Sequence, residues 1–225
     1  MLKADPEHGP LVPMLLVLTL VTGVVDAVSY LELGHVFVAN MTGNVVFLGF
    51  ALAGAPGLSA TASLAALAAF LLGALVGGHL ARHLPGHRGR LLTVAVAAQA
   101  VLLAGSTVLA AAAGHGSEPA RYTLIGLLAL AMGGQNAVVR SLKVPDLTTT
   151  VLTMTITALA ADRTGPRRVA SAGWMFAGAL LGAALVLHAT VTVALALALV
   201  LLIAVAILTH HAASPTPAPG WTERR

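Results

Sequence analysis

Between Leu91 and Ala113, and again from 190 to 209, the chain carries no charged residue. Roughly 20 apolar residues as a helix are needed to cross a hydrocarbon layer of about 30 Å, and these runs meet that length. In lipid every backbone N–H and C=O must find its partner within the protein. Runs this long therefore form helices, because barrel strands are shorter and alternate in polarity. Composition agrees: 58% of residues are hydrophobic and 9% charged, where soluble domains carry about 25% charged residues. The chain reads as an all-α, polytopic integral membrane protein whose main partner is the lipid bilayer.

The sequence pI of about 10.4 invites a nucleic-acid reading. The basic residues, however, sit in short clusters between apolar runs, where Lys and Arg hold loops on the cytoplasmic side. No nucleic-acid partner is expected. The absence of cysteine excludes disulfides, thiolate metal sites and a cysteine nucleophile. His79, His83 and His87 are spaced by four, but Pro85 and Gly86 interrupt the helix between the last two and no carboxylate accompanies them. They are read as a cytoplasmic rim and no metal is expected. Hydrolase, zincin and phosphate-loop signatures are missing, so neither an enzyme nor a cofactor is expected.

Eight hydrophobic segments can be drawn, at 11–30, 36–54, 61–81, 91–113, 122–139, 147–161, 168–188 and 190–209. The second and sixth are poor spans. Asn40, Thr42 and Asn44 interrupt one, and six threonines fill the other, among them Thr149 and Thr153. With all eight spanning and the N-terminus inside, Lys and Arg divide seven inside to five outside. If the second and sixth enter and leave by the same side, eleven of twelve lie inside and only Arg121 outside, as the positive-inside rule prefers. A seven-span arrangement divides them ten to two but treats two related segments differently.

The segments are related by an internal repeat. Gly23, Asp26 and Ala27 recur 110 positions later as Gly133, Asn136 and Ala137, and Thr42 recurs as Thr153 after one added residue. Gly73-Ala-Leu-Val-Gly77 and Gly178-Ala-Leu-Leu-Gly182 follow the polar interruption in each half. Small residues four apart let helices approach closely in lipid. Three spans per half is an odd number, so the expected fold is two inverted repeats of six spanning helices with two discontinuous or re-entrant segments. The expected organisation is a cytoplasmic N-terminus at 1–10, a first repeat at 11–113, a loop at 114–121, a second repeat at 122–209 and a disordered cytoplasmic tail at 210–225.

The stretch Val21-Thr-Gly-Val-Val-Asp26-Ala-Val-Ser-Tyr30-Leu-Glu-Leu-Gly34, followed by Phe37-Val-Ala-Asn40-Met-Thr42-Gly-Asn44, resembles the signature of YoaK-type bacterial membrane proteins. Met132-Gly-Gly-Gln135-Asn136-Ala-Val-Val-Arg140 and Leu147-Thr-Thr-Thr-Val-Leu-Thr153 resemble the same family, with Met154 standing where glycine is expected. The likeness covers roughly residues 11 to 209. It implies a multi-pass protein of the bacterial inner membrane and supplies no substrate.

Asp26 is the acidic residue set well inside a hydrophobic segment. A carboxylate there is costly unless paired or protonated, which marks it for cation binding or proton exchange. The plain alternative is that it lies near the outer end of the first helix and caps the next segment or pairs with a basic residue. Asn40, Thr42 and Asn44 either line a polar path or satisfy backbone freed by the break, with Gly43 permitting an unusual turn. Gln135, Asn136, Thr149 and Thr153 extend the candidate path in the second half, and Arg140 is either a topology anchor or an anion contact. The expected activity is passage or proton-coupled transport of a small polar solute or ion. A non-transporting scaffold or sensor is the competing class, and homo-oligomerisation is compatible with either.

Overall fold

The computed structural model describes residues 11–84, 88–144 and 166–212. Its elements are the helices α1 (Leu11–Glu32), α2 (Met41–Leu52), α3 (Ala60–His83), α4 (Arg88–Ala113), α5 (Glu118–Ser141), α6 (Pro166–His188) and α7 (Val191–Ala212). Six of them are long and apolar enough to cross a membrane. With 12 residues, α2 reaches only about 18 Å at the helical rise of roughly 1.5 Å per residue. The second segment is thus discontinuous: residues 36–40 are non-helical and only 41–52 wind up. The expected sixth segment, 147–161, lies outside the described residues, as do 1–10 and the tail beyond Ala212; α7 runs through 210–212, where the tail was expected to begin.

Polarity is arranged inside out. Leu71, Leu75 and Val76 on α3, Val101 and Val108 on α4, Phe176 and Leu180 on α6 and Val200 and Ile207 on α7 are exposed. Thr22, Asp26, Asn44, Gln99, Ser106 and Gln135 are buried. An apolar exterior around a core containing polar groups is what a lipid solvent selects.

Three contacts fix which helix ends lie together. Glu32, the last residue of α1, meets His115 at 3.0 Å in the α4–α5 connection. Thr61, in the first turn of α3, hydrogen-bonds the Tyr122 hydroxyl near the start of α5 at 2.7 Å. Arg121 packs under Gly34, just past α1. The end of α1 and the start of α3 therefore share one end of the bundle, and α2 leaves and returns there. We call it the hairpin end. The turn that starts the hairpin uses Gly34 at φ +98°, a conformation closed to most side chains.

Packing then orders the rest. On α3 and α5, Gly73 lies against Leu130 and Gly77 against Gly134, so the two helices run parallel. On α6 and α1, Gly178 lies against Leu20 and Gly182 against Val24, so these also run parallel. It follows that α5 ends, and α6 begins, at the end away from the hairpin.

The two parallel pairs are the same contact. A Cβ on Gly23 would meet the Met175 carbonyl oxygen at 2.4 Å and the Ala179 nitrogen at 2.6 Å; one on Gly133 would meet the Phe70 carbonyl oxygen at 2.0 Å and the Ala74 nitrogen at 2.9 Å. Gly133 follows Gly23 by 110 positions, and Met175 and Ala179 follow Phe70 and Ala74 by 105. Likewise the buried Val96, Gln99, Leu103, Ser106 and Ala110 of α4 recur 99 positions on as the buried Leu195, Ala198, Leu202, Val205 and Thr209 of α7. Helices α4 and α7 pack on each other, while α1 and α5 are the two most buried spans, 83% and 56% against at most 33% for the rest. The duplication in sequence is a duplication of contacts.

Candidate functional site: a carboxylate clasp and a glutamine relay

Asp26 points out of α1 into the returning chain. Its Oδ1 accepts hydrogen bonds from the backbone N–H groups of Val38 and Ala39, each at 2.9 Å, and its Oδ2 accepts from the Asn40 side-chain amide. Residues 38–40 have no helical or sheet partner for these N–H groups, and a buried N–H without an acceptor is costly. The carboxylate supplies those acceptors at 3% exposure. Of the two readings given for Asp26, this geometry is the capping one: the acid ties the hairpin to the body of the bundle.

Asn44, on α2, closes the same connection from the other side. Its Oδ1 accepts from the Phe37 N–H at 2.8 Å and its Nδ2 donates to the Phe37 carbonyl at 2.6 Å. One amide side chain thereby replaces the two partners a strand would have given Phe37. The Phe37 ring stacks on Tyr30 and Phe47, with centroids 5.1 and 5.7 Å away. Gly43 makes room for it, because a Cβ there would meet the ring at 2.6 Å. Gly43 is helical, so its contribution is this close approach and not the unusual turn expected from the sequence.

A second polar group lies deeper. The Thr22 hydroxyl donates to the Leu18 carbonyl at 2.9 Å. A carbonyl can only accept, so the Thr22 oxygen is left to accept, and Gln135 donates to it from Nε2 at 3.0 Å. Gln135 must then turn its Oε1 to Gln99, whose Nε2 donates to it at 2.7 Å. The relay joins α1, α5 and α4 and ends on the Gln99 Oε1, which is buried without a partner among the described residues.

The predicted residues therefore divide. Asp26, Asn40 and Asn44 meet at the hairpin, while Thr42 beside them is exposed. Gln135 belongs to the relay, one turn of α1 away. Asn136, the counterpart of Asp26, donates to the Met132 carbonyl of its own helix at 2.9 Å. Arg140 is exposed near the end of α5, the position of a topology anchor. Thr149 and Thr153 lie outside the described residues. Sequence reasoning missed Thr22 and Gln99. For Gln99 there was a signal, since it is the one amide in the run from Leu91 to Ala113.

Residues 14–208 match the family described as "Protein of unknown function (DUF1275)". The chain is similar to "UPF0700 transmembrane protein YoaK" of Bacillus subtilis, with 34% identity over 157 residues, 68% of this chain and 67% of that protein. No solved structure matches it. The chain belongs to the DUF1275 family, and it is a multi-pass helical membrane protein.

Proposed function

We propose that this protein is a transporter or channel for a small polar solute or ion, built from two inverted halves, with the Asp26 hairpin as its moving part. The observation that carries this reading is the pair of matching contacts at Gly23 and Gly133: each half lends its first span to the second span of the other. With the paired helices parallel and three spans per half, one half runs opposite to the other, the arrangement in which rocking about a central site gives alternating access.

Asp26 would couple a proton to that motion. As a carboxylate it accepts on both oxygens. Once protonated, one oxygen becomes a donor and loses part of its capacity to accept from residues 38–40, so its hold on the hairpin weakens. The membrane assignment is the inner membrane of a bacterium, with both termini cytoplasmic. Arg82, Arg88, Arg90, Arg140, Lys143 and Arg167 lie at the end away from the hairpin, and among the described residues only Arg121 lies at the hairpin end. That distribution supports the assignment.

A non-transporting scaffold is the second reading, favoured by one observation: the hydrogen bonds of Asp26 and Asn44 are spent on their own hairpin. Proteoliposomes enclosing a pH-sensitive dye separate the two. The transport reading expects solute-driven proton movement with the parent protein and its loss in Asp26→Asn. Proton movement and solute flux both no greater than in protein-free vesicles, across a panel of small polar solutes and ions, overturn it and leave the scaffold.

A further inference from the structure

We infer that the outward face of α3, where it ends, binds the headgroup of an anionic phospholipid from the leaflet away from the hairpin. This inference does not rest on the transport reading. Residues 72, 75, 76, 79, 82 and 83 share one face of a helix. Here all six are exposed: Leu72, Leu75 and Val76, then His79, Arg82 and His83. Within two turns the face that meets lipid changes from aliphatic to basic. The two imidazole rings lie together, with centroids 4.0 Å apart, and Arg90, exposed at the start of α4, adds positive charge. The chain has no Asp or Glu between Glu32 and Glu118, so no carboxylate of α3 or α4 answers them.

Depth turns this cluster toward lipid. Helical side chains lean toward the N-terminus of their helix. Because α3 starts at the hairpin end, an arginine in its last turn leans back into the bilayer. The Arg82 Nη1 lies 4.0 Å from where a Cβ on Gly78 would stand, a full turn before its own backbone. Roughly 20 residues cross a hydrocarbon layer of about 30 Å. Counted from Thr61, bonded to Tyr122 at the hairpin end, the far boundary falls at about residue 81. The guanidinium is therefore held at the acyl edge of the headgroup layer, where a charge without a counter-ion is costly.

The chemistry of the occupant follows. No hydrogen bond or ion pair among the described residues involves Arg82. The anion present at that level of a bilayer is a lipid phosphate, which a guanidinium meets with two parallel N–H donors. Each imidazole has an N–H to add in either protonation state. Two histidines a turn apart would suit a metal ion, but the fixed charge of Arg82 beside them repels a cation. An ammonium headgroup finds no acid here, so lipids of net negative charge are preferred. Their acyl chains lie along Leu72, Leu75 and Val76.

The fold itself does not call for the arginine. At the offset of 105 that relates α3 to α6, Ala184, Leu187 and His188 stand for His79, Arg82 and His83. Leu187 is likewise exposed, at 67%. The same contact frame closes with an aliphatic side chain at the hairpin end and with a cation at the other.

The test places the full chain in phosphatidylcholine nanodiscs carrying a trace of phosphatidylglycerol with a diazirine in its acyl chain, beside the matching phosphatidylcholine probe. Phosphatidylglycerol adducts should concentrate on residues 72–83 and exceed those of the other probe. They should fall about fivefold in Arg82→Leu, the weight of one basic residue at an anionic surface. Arg82→Lys, which keeps the charge and loses the fork, should recover part of the labelling. Inorganic phosphate in the buffer should not displace the probe. The comparison of headgroups needs only the parent protein, so it decides the matter even where Arg82→Leu does not fold. Equal labelling by the two probes, phosphatidylglycerol labelling unaffected by Arg82→Leu, or displacement by inorganic phosphate overturns the proposal and leaves Arg82 a topology anchor.

Discussion

Asp26 and Asn44 grip one short stretch of backbone from opposite sides. Asp26 takes the N–H groups of Val38 and Ala39, and Asn44 takes both the N–H and the C=O of Phe37. Three consecutive residues without regular secondary structure are thereby satisfied by two side chains from different helices. The grip makes a non-helical entry tolerable beside a spanning helix, since unpaired backbone in an apolar setting is expensive.

Removing the acid should therefore cost stability. Asp26→Ala leaves two buried N–H groups and the Asn40 amide without an acceptor, for a loss of about 3 kcal/mol at the usual rate of roughly 1–3 kcal/mol per orphaned group. Asp26→Asn keeps one acceptor oxygen and should lose less. Thr42→Ala, at an exposed neighbour, should change nothing. Unfolding midpoints in mixed detergent and SDS would rank the three.

Gly43→Ala tests the aromatic stack. The added methyl must displace the Phe37 ring from between Tyr30 and Phe47, at a cost of about 1–2 kcal/mol for overpacking. Truncating the ring by Phe37→Ala should make the same glycine change nearly neutral. A double-mutant cycle of thermal stability with no coupling between the sites would contradict the contact.

The repeat predicts paired responses. Gly23→Leu and Gly133→Leu each drive a side chain into the backbone of a parallel partner helix, so both should prevent the protein from accumulating in membranes. A Cβ at Gly105 or at Gly173 meets nothing within 4 Å, so Gly105→Leu and Gly173→Leu should be accepted. Membrane-fraction blotting compares them. A tolerant Gly133 beside an intolerant Gly23 would mean that the two contacts are not equivalent.

Topology is testable because the chain has no cysteine of its own. Single cysteines at Ala53, after α2, and at Ser117, before α5, should react with an impermeant maleimide from one side of the membrane. A cysteine at His83 should react from the other. Labelling of Ala53→Cys and of His35→Cys, an exposed position before α2, from opposite sides would mean that α2 crosses.

Much of this was legible in the linear chain, for particular reasons. The charge-free run from Leu91 to Ala113 can only be a helix in lipid, and that follows from length and polarity alone. The interruption at Asn40 to Asn44 shortened the second segment visibly, and the recurrence of Gly23 as Gly133 announced two related halves. Asp26 was conspicuous because a carboxylate is rare inside such a run. Its partners were not, since the backbone N–H groups of Val38 and Ala39 leave no mark in a sequence.

The sequence by itself determined the lipid solvent and the helical, multi-pass class, because each depends on the length and composition of one stretch at a time. Only the tertiary structure decided what the polar residues do: that Asp26 holds a hairpin, that Gln135 turns to Thr22 and Gln99, and that Gly43 yields space to a ring. Those are properties of pairs brought together across helices. The direction of a hydrogen bond and the room left for a methyl group are set by the neighbour, which a linear chain does not specify.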